Sequence, residues 1–281
     1  MAASDPLRIH LSLVSHTNVG KTTLARTLLL KDVGEVADRA HVTETTDDYV
    51  LARSSTGGEL ILWDTPGFGN SVALAKRLEG RGNPLGWFLS EVWDRFTDRS
   101  FWLDQRSVRH IRDVTSVVLY LVNAAEPPEK APYIPAEMQI LAYIGKPVIV
   151  LLNQMGKPRP PEEEVAELAH WKTSLAEYPF VTEVLPMDAF ARCWVQEAAL
   201  FDAVGRAVQP EQQSVFEELR LSWTRARRAV YASAVEALAR HVWLQASAHE
   251  WVENAGFSTK VKSVAKKLGL FSTAADPIAD A

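Results

Sequence analysis

The chain carries a single cysteine, Cys193, in 281 residues, so it can form no internal disulfide. The expected compartment is therefore a reducing one, the cytoplasm. No run of about 18 apolar residues free of charge occurs, and a membrane-spanning helix is not expected. The opening "MAASDPLRIH" lacks a basic segment followed by an apolar one, so no secretory signal is read there. Nor is there an excess of positive charge: 30 Lys and Arg stand against 35 Asp and Glu, a net charge of -5. That balance argues against a general polyanion binder. Internal repeats and low-complexity tracts are also missing.

What the chain does have is apolar residues, 47% of the total, enough for one large domain or one domain with an appendage. Nine tryptophans serve either as core anchors or as interface anchors. Charge is unevenly spread. Between Arg220 and Lys267 there are nine Lys or Arg against three Glu, namely Glu236, Glu250 and Glu253.

Short β-branched runs alternate with helical patterns through the first two thirds, which signals an α/β architecture. "RIHLSLVS" (8–15) reads as a strand and "KTTLARTLLLK" (21–31) as a helix. "DYVLARSS" (48–55) and "ELILWD" (59–64), joined by a Thr-Gly-Gly turn, read as a hairpin. "SVVLYLVN" (116–123) and "KPVIVLLN" (146–153) are unbroken apolar runs, the mark of strands covered on both faces. A helix over 135–145 ends at Gly145, and a helix over 162–178 opens with prolines and acids in its first turn. "VTEVLPM" (181–187) is the last strand and 191–208 the closing helix. Residues 70–113 form a long insertion containing Trp87, Phe88, Trp93, Phe96, Phe101 and Trp102, and 211–271 form a second, helical segment.

The chemistry concentrates in "SHTNVGKTTL" (15–24). A strand running into Gly-Lys-Thr and then a helix aims successive backbone N–H groups and a helix N-terminus at one point, which suits a phosphate. Asn18, Val19, Gly20, Lys21, Thr22 and Thr23 would wrap the phosphates. Lys21 would reach the β- and γ-phosphates and the Thr22 hydroxyl would ligate Mg²⁺. Position 15 is serine where the phosphate-loop pattern has glycine, so serine must either bear backbone strain there or shift the loop. About 43 residues beyond Lys21, at the end of a strand, stands "WDTPGFG" (63–69). Asp64 can hold Mg²⁺ through water, and the Gly67 N–H can sense a γ-phosphate. The threonine-rich "HVTETTDDYV" (41–50) between the two can complete the Mg²⁺ shell only while the γ-phosphate is present.

These residues resemble the first three motifs of Era/TrmE-like GTPases, of the translation-factor-related P-loop class. The layout is similar to a bacterial group of that kind with a helical C-terminal domain of unknown function. The resemblance covers about residues 8–208, and its motifs are specific over the first 70. It implies a Ras-like P-loop fold: a mostly parallel six-stranded sheet with helices on both faces, plus a helical insertion and a C-terminal helical segment. It further implies Thr46 as the switch threonine, with Thr45 as its alternative. Asn18 stands where the family can coordinate K⁺, supplying charge otherwise given by an arginine finger. Catalytic roles then fall to Lys21, Asn18 and Thr46, and Mg²⁺ to Thr22, Thr46 and Asp64. Phe68 stands where Ras-like enzymes place a water-orienting glutamine, so hydrolysis should be slow unless K⁺, a partner or dimerisation assists.

The base-recognition motif departs from the family. "NQMG" keeps Asn153 but has Gln154 for lysine and Gly156 for aspartate. The missing carboxylate would accept hydrogen bonds from guanine worth about 1.5–3 kcal/mol, so guanine selectivity should fall. Asp188 could supply a displaced carboxylate or simply cap a helix. His16 either touches ligand or faces solvent. His241 and His249, with Trp243 and Trp251, lack metal-ligand spacing and read as structural. The insertion acts as a lid or partner-docking element, or packs on the sheet. Phe257, Val261, Val264, Leu268 and Phe271 make one apolar stripe with lysines mostly away from it, which suits an anionic membrane surface or packing on the domain.

The reading is a GTPase (G) domain over 1–209, with the insertion 70–113, and a helical region over 210–281. The expected function is a cytoplasmic, Mg²⁺-dependent GTP switch, K⁺-activated, binding and slowly hydrolysing GTP. It would address a protein partner through the switch region, the insertion or the C-terminal helices, at the inner membrane surface or as a homodimer. Nucleic acid is not an expected partner, since no KH-like loop is visible. The alternatives are a nucleotide-binding scaffold with little hydrolysis or relaxed base specificity, and a membrane-surface adaptor.

Overall fold

The computed structural model describes residues 7–29, 47–69, 71–79, 99–189 and 194–247, together with 264, 265, 267 and 268. Six strands form one sheet: β1 (Arg8–Ser15), β2 (Asp47–Arg53), β3 (Glu59–Asp64), β4 (Val117–Asn123), β5 (Val148–Asn153) and β6 (Val181–Pro186). Among the described residues seven α-helices accompany them: α1 (Lys21–Leu29), α2 (Ser71–Glu79), α3 (Arg99–Val114), α4 (Ile134–Ile144), α5 (Pro161–Leu175), α6 (Trp194–Ala207) and α7 (Gln213–Ser247). The strand order is β2-β3-β1-β4-β5-β6. Only the hairpin partner β2 runs antiparallel to its neighbour; every other pairing is parallel. The chain order reverses on the two sides of β1, so the crevice beyond its C-terminal end is where this architecture receives a ligand.

The unbroken apolar runs do what a doubly covered strand requires. In β4, Val117, Leu119 and Leu121 face one core, while Val118, Tyr120 and Val122 face the other. The first core is roofed by α1, α6 and the start of α7, the second by α2, α3, α4 and α5. Alternation of side chains along a strand therefore sorts residues between two helical layers. Gly145 ends α4 in the left-handed conformation at φ 68, as its terminator role demands.

Packing divides the chain into two units, Met1–Arg225 and Ala226–Ala281. Residues 213–225 of α7 belong to the first, where Phe216, Leu219 and Trp223 are buried and the Trp223 ring stacks on Phe201 at 4.1 Å. The expected boundary at 209/210 falls between α6 and α7, whereas packing assigns the first turns of α7 to the first unit. In the second unit every side chain from Arg228 to Ser247 is exposed. His241 and Trp243 lie there on open helix surface, while Trp171 and Trp223 are core anchors of the first unit.

Several expectations lie outside the described residues. They are the switch segment up to Thr46, the insertion over 80–98 with Trp87, Phe88, Trp93 and Phe96, His249 and Trp251, and most of the stripe over 257–272. Among the described residues no helix is long and apolar enough to cross a membrane.

Candidate functional site

The site begins with strand parity. β1 directs Leu13 into the first core and Val14 into the second, so the next two residues diverge as well. Ser15 points toward α1, where the Lys21 ammonium donates to its Oγ across 3.0 Å. The Ser15 hydroxyl in turn donates to the His16 carbonyl at 2.5 Å. Ser15 is not among the residues with positive φ, so serine brings no backbone strain at this position. Among the described non-glycine residues only Asn18 and Gln154 have positive φ, at 62° and 57°. The special conformations fall later in the loop, at exposed Asn18 and at Gly20 (φ 97). A Cβ on Gly20 would also lie 2.7 Å from Asn153 Nδ2, so glycine is required there twice over.

Lys21, Thr22, Asp64 and Gly67 converge. Lys21 is buried, with 8% of its surface exposed. Thr22 Oγ1 donates to Asp64 Oδ2 at 2.7 Å. Burial raises the Asp64 carboxyl above its ordinary range, against the lowering effects of the Thr22 hydrogen bond and the Lys21 charge. The other oxygen, Oδ1, is buried with no hydrogen-bond partner among the described residues. An orphaned buried carboxylate oxygen beside a hydroxyl is the hard-oxygen set that Mg²⁺ accepts. Gly67 presses on the phosphate loop so closely that a Cβ there would meet Lys21 Nζ at 2.9 Å and the Thr17 backbone at 3.1 Å. Beside it, the Phe68 N–H donates to the Ser15 carbonyl at 3.0 Å, and Phe68 pairs with His16 in a parallel bridge. The Phe68 ring is fully buried in the second core.

On the base side, Asn153 is fully buried and engaged at both ends of its amide. Its Nδ2 donates to the Val19 carbonyl at 2.6 Å and its Oδ1 accepts from the Ala189 N–H at 2.8 Å. Asn153 thus staples three loops. Gln154 Nε2 reaches the Asn18 carbonyl at 3.4 Å. Gly156 has φ 80 and nothing within 4 Å of a Cβ, so the aspartate position is open space. Asp188 Oδ2 accepts from the Met155 N–H at 3.1 Å, next to that open position. Thr23 lies half-buried on α1 with its carbonyl accepting from Thr27 Oγ1. Thr45 and Thr46 are outside the described residues.

The second residue of the phosphate loop brings in partners that sequence reading missed. His16 Nδ1 lies 2.9 Å from Oε1 of Glu137, a fully buried residue of α4. The His16 ring stacks on Tyr133 at 4.6 Å. Tyr120 donates its hydroxyl to Glu137 Oε2 at 2.7 Å, and burial followed by the Glu137 charge raises its phenol well above the ordinary value. One sequence signal pointed there: Glu137 interrupts the apolar face of Ile134, Met138 and Leu141.

A family of 50S ribosome-binding GTPases matches residues 10–154, over half the chain. The chain belongs to this GTPase family. Its matched region holds the phosphate loop, the Asp-Thr-Pro-Gly turn and the start of the altered base motif. No curated protein matches the chain. Among solved structures, an Era variant of Aquifex aeolicus bound to GDP·AlF4⁻ has a TM-score of 0.52 at 20% identity, over 72% of this chain and 57% of that one. Era in complex with MgGDPNP and nucleotides 1506–1542 of 16S ribosomal RNA gives 0.50 at 19% identity, over 73% and 58%. This family member therefore shares the α/β P-loop fold of Era and spans somewhat more than half of those Era chains. The ribosomal RNA in the second of these structures is bound by that Era.

Proposed function

We propose that this protein binds GTP with Mg²⁺ and hydrolyses the γ-phosphate slowly, as a switch read by a partner. The observation that carries this reading is the convergence of Lys21, Thr22, Asp64 and Gly67, with an unpartnered Asp64 oxygen at its centre. Lys21 would hold the β- and γ-phosphates, while the Gly67 N–H would register the γ-phosphate. Thr22, Asp64 and the switch threonine, Thr46 or Thr45, would hold the metal. Mg²⁺, when bound, supplies charge neutralisation on the phosphates. Phe68 offers no group to orient water, so Asn18, exposed in a left-handed turn, is assigned a K⁺ site that speeds hydrolysis.

Fluorescent GTP and ATP titrations, with phosphate release followed in K⁺ and in Na⁺, test the reading. GTP binding abolished by Lys21→Ala supports it, as does turnover that is faster in K⁺. Retention of full affinity in Lys21→Ala overturns the site. A second reading, a nucleotide-binding scaffold with relaxed base choice, is favoured by the open space at Gly156 and predicts equal GTP and ATP affinity. The partner is proposed to meet the switch region or the helices after Gln213. Ribosomal RNA and an anionic inner-membrane surface are the candidates besides protein, in a cytoplasmic setting.

A further inference from the structure

Glu137 is fully buried, yet it lies outside the nucleotide motifs and reaches the phosphate loop through one contact, His16. We infer that Glu137 is a positioning residue for the γ-phosphate half of the site, acting through His16. The inference rests on the GTP-binding reading above.

The path is short and each link is a contact. The Glu137 carboxylate takes the Tyr120 hydroxyl on one oxygen and faces His16 Nδ1 with the other. As an acceptor it requires the hydrogen on Nδ1, which fixes the tautomer and the ring orientation. Tyr133 covers the ring face, and burial with the nearby Glu126 and Glu137 charges pushes its phenol up to about 12, so it stays a neutral wall. With the ring held, the His16 backbone is held too. Its carbonyl takes the Ser15 hydroxyl, and that hydroxyl accepts from the Lys21 ammonium. The parallel bridge opposite His16 runs through its neighbour: the N–H of Phe68, the residue after Gly67, donates to the Ser15 carbonyl at 3.0 Å. The two groups that face a γ-phosphate, Lys21 Nζ and the Gly67 N–H, are therefore both referenced to the Ser15–His16 segment, the first through the Ser15 hydroxyl and the second through the Ser15 carbonyl. The rest of the loop is anchored separately, by Asn153 on the Val19 carbonyl. Release of His16 should thus disturb the γ-phosphate, which draws on both groups, more than the β-phosphate, which draws on Lys21 and the separately anchored loop.

The test uses the full chain and two fluorescent probes, GDP and a non-hydrolysable GTP analogue, with parent, Glu137→Ala, Glu137→Gln, His16→Ala and the Glu137→Ala/His16→Ala pair. Each alanine variant is expected to lose about tenfold in affinity for the GTP analogue relative to GDP, the scale on which small misplacements act. The pair should lose no more than either alone, because both break one link. Glu137→Gln keeps an acceptor for Nδ1–H and should recover most of the ratio, which a general packing defect would not. Equal losses for both probes, an unchanged ratio in His16→Ala, or additive losses in the pair overturn the inference. Should Glu137→Ala fail to fold, His16→Ala and Glu137→Gln decide it. A parent that binds GDP while the variants keep its ratio sinks this inference alone; a parent that binds neither probe sinks the underlying reading.

Discussion

Thr22 Oγ1 donates to Asp64 Oδ2 across 2.7 Å, tying the first turn of α1 to the end of β3. The pair shares its oxygens with each other and leaves Asp64 Oδ1 without a partner among the described residues. Removing the carboxylate should therefore act on metal more than on the fold. Asp64→Ala is expected to weaken apparent Mg²⁺ affinity in the nucleotide complex by roughly 10–100-fold, as loss of an outer-shell partner does. Titrating Mg²⁺ into the GTP complex of parent and variant measures it; equal midpoints would remove Asp64 from the metal site.

Gly67 is fixed by its neighbours rather than by its φ. A methyl there would press on the Thr17 Cα and N at 3.1 and 3.2 Å, and backbone cannot step aside as a side chain can. Overpacking of this kind costs about 1–3 kcal/mol. Gly67→Ala is expected to lower the melting temperature of the nucleotide-free protein and to part the Asp-Thr-Pro-Gly turn from the phosphate loop. An unchanged melting curve would show that the contact is loose.

Base choice turns on open space at position 156. Gly156 has φ 80, a conformation that aspartate tolerates better than most residues, and nothing lies within 4 Å of its Cβ. Gly156→Asp meets no neighbouring atom; it bears backbone strain at this φ and restores a charged acceptor worth about 1.5–3 kcal/mol. The GTP-to-ATP affinity ratio is then expected to rise by at least about tenfold over the parent. A ratio that stays the same would mean that selectivity is set elsewhere, and competition titrations with both nucleotides separate the outcomes.

The elements that were legible in sequence are those whose pattern is local. Apolar runs at 117–123 and 148–153, the hairpin turn and Gly145 as a helix stop all depend on residues a few positions apart. Lys21, Asp64 and Gly67 come together because each lies at or just beyond the C-terminal end of β1 or β3, where parallel topology gathers the loops. What escaped was set by parity and distance. The roles of Ser15 and His16 follow from the alternation of side chains at the end of β1, and the partners of His16 are 117 and 121 residues away, at Tyr133 and Glu137. The hydrogen bond from the Met155 N–H to Asp188, 33 residues apart, is equally invisible to a local pattern.

His10 offers a pH test. It stands on β1, where Trp63 Nε1 donates to its Nδ1 at 2.9 Å. That bond needs a lone pair on Nδ1, so the folded state favours the neutral ring. Desolvation by burial, then the Arg8 and His110 charges, lower its pKa below 6.5, and Asp48 opposes them. A depressed pKa on a base means that the unfolded chain binds the proton more readily. The stability that neutral His10 contributes is thus complete above the unfolded value of 6.5 and is lost as the pH falls through it toward the folded value. His10→Gln keeps an acceptor for the indole N–H and removes the titration. Melting temperatures across that window should fall more steeply for the parent than for His10→Gln. Parallel slopes would mean that the Trp63 bond does not depend on the charge of His10.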